Sequence, residues 1–123
     1  MPRRALPGIE VSARLPARLE VSAILRLAES QGGFATVLAR GEPDAGTILI
    51  VTLMRGTGAV LYERMPQPSG ARPYVAAKRQ SEENPSEFEE YLARRRRQDP
   101  DAWLIEVDIA DPPRFIAQLN DCD

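Results

Sequence analysis

The seven residues Ile48–Met54, Ile-Leu-Ile-Val-Thr-Leu-Met, form the longest apolar stretch of the chain. The run is strand length, and with Thr47 in front of it both alternations are apolar. A strand of that kind belongs in the middle of a sheet, because an edge or half-solvated strand keeps one polar face. The stretch is also far short of the ~20 apolar residues that a membrane span needs. The rest of the chain has to supply elements that surround this strand.

Proline and glycine divide the remainder. Pro16 suits a first helical position. Ala17, Val21, Ile24, Leu25 and Ala28 then fall on one face of a 3.6-residue period. Gly32-Gly33 ends that helix. Four strand-like runs follow, Phe34–Arg40, Thr47–Met54, Ala59–Met65 and Pro73–Lys78. Residues 41–46 and 55–58 link the first three, and links this short favour antiparallel neighbours. Asn84-Pro85-Ser86-Glu87 predicts a capped second helix with a Phe88, Tyr91, Leu92, Arg95 stripe. In Trp103–Ile109 the residues Trp103, Ile105, Val107 and Ile109 alternate with Leu104, Glu106 and Asp108, the cleanest strand pattern in the chain. Asp111-Pro112 opens a short final helix carrying Phe115, Ile116 and Leu119.

The order helix, four strands, helix, strand, helix predicts an α+β fold. The expected sheet is antiparallel or mixed, with about five strands and two to three helices mainly on one face. The position and direction of the last strand stay open. The expected organisation is an N-terminal arm over residues 1–14, one domain over 15–120 and a tail over 121–123. In the arm, Ile9, Val11 and Ala13 alternate with polar residues, as in a short edge strand.

The 123 residues include no histidine and one cysteine, Cys122. That argues against histidine acid–base catalysis, Ser-His-Asp and Cys-His nucleophiles, and cysteine-rich metal centres. Gly56-Thr57-Gly58 lacks the further glycine and following helix of a phosphate loop, and reads as a hairpin turn. No cofactor is called for. No signal-peptide pattern follows Arg3 and Arg4, so a cytoplasmic protein without membrane association is expected.

Charge is divided unevenly. Residues 1–80 carry 11 basic and 6 acidic side chains, and residues 81–123 carry 5 and 12. Two sets of residues stand out. Arg94, Arg95 and Arg97, within the run Arg94–Arg97, join Arg64 as a candidate binding surface beside an exposed sheet face. The flanking Glu87, Glu89, Glu90, Asp99 and Asp101 blunt that field, and helix-dipole contacts and salt bridges are the plainer role. The second set is Glu63, Glu106 and Asp108, carboxylates that would suit Mg²⁺ or Mn²⁺ in a hydrolase acting on a phosphate-containing substrate. Tyr62, Tyr74, Tyr91 and Trp103 fit core packing better than base stacking.

Several segments resemble a known family. They are Arg14-Leu15 to Gly33-Phe34-Ala35, residues 41–46, Glu63-Arg64-Met65-Pro66, Tyr91-Leu92-Ala93-Arg94-Arg95-Arg96-Arg97, and residues 99–108 from Asp99-Pro100 to Val107-Asp108. Across roughly residues 12–120 the chain is similar to a family of small bacterial proteins filed as a domain of unknown function. The resemblance implies no catalytic residue, cofactor or substrate. The function expected from the residues is a non-enzymatic binding or interaction module, with a protein partner favoured over nucleic acid and a homodimer plausible. The alternative is the metal-dependent hydrolase.

Overall fold

The computed structural model describes residues 15–121, so the N-terminal arm, with its possible edge strand, and Cys122 lie outside the described residues. Helix α1 spans Ala17–Ser30 and is followed by β1, Phe34–Ala39, β2, Ile48–Met54, β3, Thr57–Arg64, and β4, Tyr74–Arg79. Helix α2 spans Pro85–Gln98, β5 spans Trp103–Asp108, and α3 spans Pro112–Asp121. The five strands form one sheet in the order β1-β5-β2-β3-β4. The fold is α+β with a mixed, mostly antiparallel sheet, as the element order predicts.

β1 and β2 are not neighbours, although their short link favoured that pairing. β5 enters between them, parallel to β2 and antiparallel to β1. The reason is burial. In β5 four of six residues are buried, and in β2 five of seven, so both need a covered, hydrogen-bonded position inside the sheet. The loop from Arg40 to Thr47 is long enough to step across one strand. It leaves the less buried β1 at the edge.

The sheet has two apolar faces. On one, Ile48, Ile50, Tyr62, Trp103, Ile105 and Val107 meet α1 through Val21, Ile24 and Ala28, and α3 through Phe115 and Ile116. On the other, Leu49, Val51, Leu61 and Leu104 meet α2 through Phe88 and Leu92. Two helices thus cover one face and one helix the opposite face. Each fully buried large side chain, such as Phe88 or Phe115, contributes about 2–3 kcal/mol.

Local chemistry explains how the elements start and stop. Pro16 offers no capping side chain, and the first amides of α1 donate instead to loop carbonyls, Ala17 N to Asp44 O at 2.9 Å and Arg18 N to Pro43 O at 2.8 Å. At α2 the expected capping box does not form. Asn84 makes no side-chain cap; its Oδ1 accepts from Ser86 Oγ, and Glu87 turns outward to Lys78. A neighbouring ammonium outcompetes a backbone amide for that carboxylate. At α3, Asp111 Oδ1 accepts the Arg114 amide at 3.2 Å. Asn120 then brackets the Tyr74 backbone, accepting from its N at 2.8 Å and donating to its O at 3.1 Å.

The β2–β3 hairpin closes with two residues, Arg55 and Gly56, at φ 53° and 77°. Both are left-handed, as a turn matched to the twist of the strands requires. β3 therefore begins at Thr57, two residues before the run that periodicity marks. Gly41 is needed for space. A Cβ there would lie 2.2 Å from Asp101 O and 2.6 Å from Trp103 Cδ1. The loop lies flat against the start of β5, where Trp103 Nε1 donates to Glu42 O at 2.8 Å.

Two stability effects are expected. Gly41→Ala forces this contact apart and lowers unfolding stability by about 1–3 kcal/mol in urea titration. Thr52 is fully buried and its Oγ1 has no hydrogen-bond partner among the described residues. Thr52→Val removes an unsatisfied hydroxyl and leaves stability unchanged or raised by about 1 kcal/mol in the same titration.

Candidate functional site

α2 covers only part of its face of the sheet. Its flank toward β3 and β4 is tied down by charge. Arg95 Nε and Nη2 both donate to Glu63 Oε1, at 3.1 and 3.0 Å. Both side chains are largely buried, so this pair is screened less than a surface pair. Arg95 also reaches Asp99 at 4.0 Å, and Lys78 pairs with Glu87. Lys78 and Arg94 both approach the Tyr91 ring, at 5.5 and 5.8 Å from its centroid.

The other flank of α2, toward β5 and β1, has no such ties. Between it and the sheet runs a groove of about 730 Å³. Val51, Leu53, Leu92 and Leu104 provide an apolar floor, and Leu38 of β1 stands at its far side. Glu89, Arg96, Arg97 and Glu106 bring both signs of charge to it. Arg96 Nε is buried without a hydrogen-bond partner among the described residues. Glu106 is half-buried and likewise forms no hydrogen bond or ion pair among them. The volume lies within the ~300–1,000 Å³ of ligand-binding clefts, which pair an apolar lining with a few placed polar groups.

The arginines of the expected binding surface are dispersed. Arg97 lines the groove, and Arg94 is exposed on the outer side of α2. Arg95 is taken up by Glu63. Arg64 points to the opposite face of the sheet, where it donates to Glu20 Oε2 at 2.8 Å and to Arg72 O, and lies 4.3 Å from the centroid of Tyr74. Arg64 and Arg95 meet only at the rim of a smaller hollow of about 400 Å³ beside Glu20 and Glu63, each with its own carboxylate.

The three carboxylates are dispersed too. Glu63 serves Arg95. Asp108 closes the β2–β3 hairpin, its Oδ1 and Oδ2 accepting the amides of Arg55 and Gly56 at 2.9 Å each. Glu106 alone faces the groove. Among the described residues no three histidine, cysteine, aspartate or glutamate side chains are grouped to hold a metal ion. Nor is any described helix long and apolar enough to cross a membrane.

Comparison with known proteins bears on this architecture. The profile of a family described as a protein of unknown function, DUF1491, matches residues 15–117. The chain belongs to the DUF1491 family. A crystal structure of a DUF1491 family protein from Caulobacter crescentus CB15 is similar at a TM-score of 0.73 and 31% identity, over 83% of this chain and 94% of that one. An NMR structure of a DUF1491 family protein from the same organism gives 0.69 and 31%, over 82% and 91%. A solution structure of a protein from A. tumefaciens gives 0.68 and 29%, over 80% and 89%. No curated protein matches the chain.

In this DUF1491 chain the residue that the sequence reading passed over is Arg96. Its signal was present: Arg96 lies four residues after Leu92 and eight after Phe88, on the stripe that faces the sheet. The stripe expected from Phe88, Tyr91 and Leu92 continues to Arg95, which leaves Arg96 out. Of the four rings Tyr62, Tyr74, Tyr91 and Trp103, Tyr62, Tyr74 and Trp103 are buried in the core and Tyr91 is partly buried.

One titration follows from the tied flank. The hydrogen bond and charge of Lys78 hold the Glu87 carboxyl below its ordinary range; Arg94 adds to this and desolvation opposes it. A lowered folded-state pKa stabilises the fold above the ordinary carboxylate range and is lost as pH falls through the lowered value. Carbon-detected NMR should find Glu87 titrating below an unfolded peptide reference, and Lys78→Met should return it toward that reference.

Proposed function

We propose that the protein is a non-enzymatic, cytoplasmic interaction module that docks a protein segment in the groove between α2 and β1. The observation that carries this is the pairing of an apolar floor with two charged groups, Arg96 and Glu106, that the described residues leave unpartnered. Leaving a buried donor such as Arg96 Nε without an acceptor is costly, and a ligand that brings one removes that cost. Extended peptides have the required chemistry, with apolar side chains for the floor and backbone or side-chain groups of both signs for the walls.

Nucleic acid fits this groove less well. Glu89 and Glu106 sit among the arginines and would repel phosphate. The overall charge is −2, whereas nonspecific nucleic-acid binders are basic. Tyr62, Tyr74 and Trp103 are buried and offer no face on which bases could stack.

The test is affinity capture from the protein's own cell extract, with and without nuclease, comparing wild type with Arg96→Glu and Arg97→Glu. A nuclease-resistant protein partner should be retained by the wild type and reduced at least about tenfold by Arg96→Glu, as for loss of a central buried arginine contact. Thermal melting of the variants should confirm that they fold. Equal capture by wild type and Arg96→Glu would remove the groove from the binding site. Loss of every partner on nuclease treatment would favour nucleic acid instead.

A further inference from the structure

The two edges of the sheet are guarded differently. β4 carries Lys78 and Arg79, and charges on an edge strand discourage pairing with another chain. β1 reads Phe-Ala-Thr-Val-Leu-Ala, with no charge and no proline. Two of its large apolar side chains stand in solvent, Phe34 at 78% exposure and Leu38 at 49%. Among the described residues no strand pairs with the outer side of β1, and an edge of this composition is a template for another strand.

Both side chains are on the groove side of the sheet. Phe34 is opposite Asp108, which is beside Leu53 of the groove floor. Leu38 lines the groove itself. Plain strand alternation puts Phe34, Thr36 and Leu38 on this face, and the bulge between Val37 and Ala39 brings Ala39 to it as well.

We propose that the protein is a homodimer in which β1 pairs antiparallel with β1 of a second copy, about a two-fold axis at Thr36. Residues opposite each other in an antiparallel ladder project to the same face. Centring the ladder on Thr36 sets Phe34 against the partner's Leu38 and Leu38 against the partner's Phe34. Ala35 meets the partner's Val37 in the same reciprocal way. This self-complementarity is what a two-fold interface requires. Sliding the axis by one residue sets Phe34 against Thr36 in one direction and against Arg40 in the other, and the apolar match is lost. In the Thr36 register Arg40 faces the partner's Gly32, so no like charges meet. Each Phe34 brings on the order of 150 Å² of ring surface. Leu38 and the strand edge extend the contact toward the roughly 1,000 Å² that a specific interface needs.

Pairing of this kind makes a ten-stranded sheet with both α2 helices on the same side. It also changes the groove. Leu38 stands at the groove's β1 side, so the partner's Phe34 extends that wall. Each copy thereby contributes a side chain to the other's groove. The dimer itself does not depend on the docking reading.

The experiment is sedimentation equilibrium of the full chain at micromolar concentrations, with melting curves as the check on folding. The wild type should show twice the 13.6 kDa chain mass. Thr36 is exposed, so Thr36→Lys should fold normally. It sets two ammonium groups face to face at the axis and should weaken association at least about tenfold. In a Cys122→Ser background, Thr36→Cys should oxidise to a covalent dimer while the exposed-site control Ala23→Cys stays monomeric under the same oxidant. A wild type that is monomeric throughout overturns the proposal and leaves the edge to another segment. A dimer that survives Thr36→Lys, or Thr36→Cys linking no better than the control, overturns it as well. Arg96→Glu should keep the dimeric mass, so failure of the docking reading and failure of the dimer are separate results.

Discussion

Strand β5 is hydrogen-bonded on both sides and buried at four of its six residues, and the rest of the molecule is arranged around that demand. Its parallel partner β2 has the same character. Two such strands side by side need cover above and below. α1 and α3 supply it on one face, and α2 on the other. Because β5 arrives last in the sheet, it has to enter a space flanked by β1 and β2. The loop over residues 40–47 holds that space. Gly41 and Gly46 let the loop lie against Asp101, and its carbonyls also receive the first amides of α1. A single loop thus fixes the start of a helix and the entry of the central strand.

The charged residues follow from this arrangement. Most of them hold elements in place. Glu63 and Arg95 fasten the outer flank of α2, Asp108 closes a hairpin with two amides, and Arg64 bridges Glu20, the Arg72 carbonyl and the Tyr74 ring. These are largely buried or geometrically exact contacts, where an ion pair retains strength that exposed pairs lose to water and salt. The inner flank of α2 carries charge without such duties. One helix therefore has a tethered side and an open side, and the open side meets the unguarded edge of the sheet.

Much of the fold was legible from periodicity and punctuation. All eight elements of the described chain were marked by apolar spacing or by Pro and Gly, including the central place of Ile48–Met54 and the alternation of Trp103–Asp108. Three things were not legible. The capping box at Asn84 was overridden by Lys78, a residue brought in by a neighbouring strand. The pairing of β1 with β5 joins segments about seventy residues apart, and no local pattern encodes that choice. The expected surface joined Arg64 to Arg94, Arg95 and Arg97, and no local pattern shows that Arg64 turns to Glu20 on one face of the sheet while Arg95 turns to Glu63 on the other.

By itself the sequence determined what is local: where helices and strands form, which strands must be interior, and which catalytic chemistries lack their side chains. Those depend on side-chain shape, period and inventory, all of which can be counted along the chain. Only the tertiary structure decided that Glu63 belongs to Arg95 and Asp108 to a hairpin, that Arg64 faces away from the arginine run, and that Arg96 and Glu106 are left together over an apolar floor. Those outcomes depend on which face of which strand is brought beside which helix, and that is settled by burying β2 and β5 together.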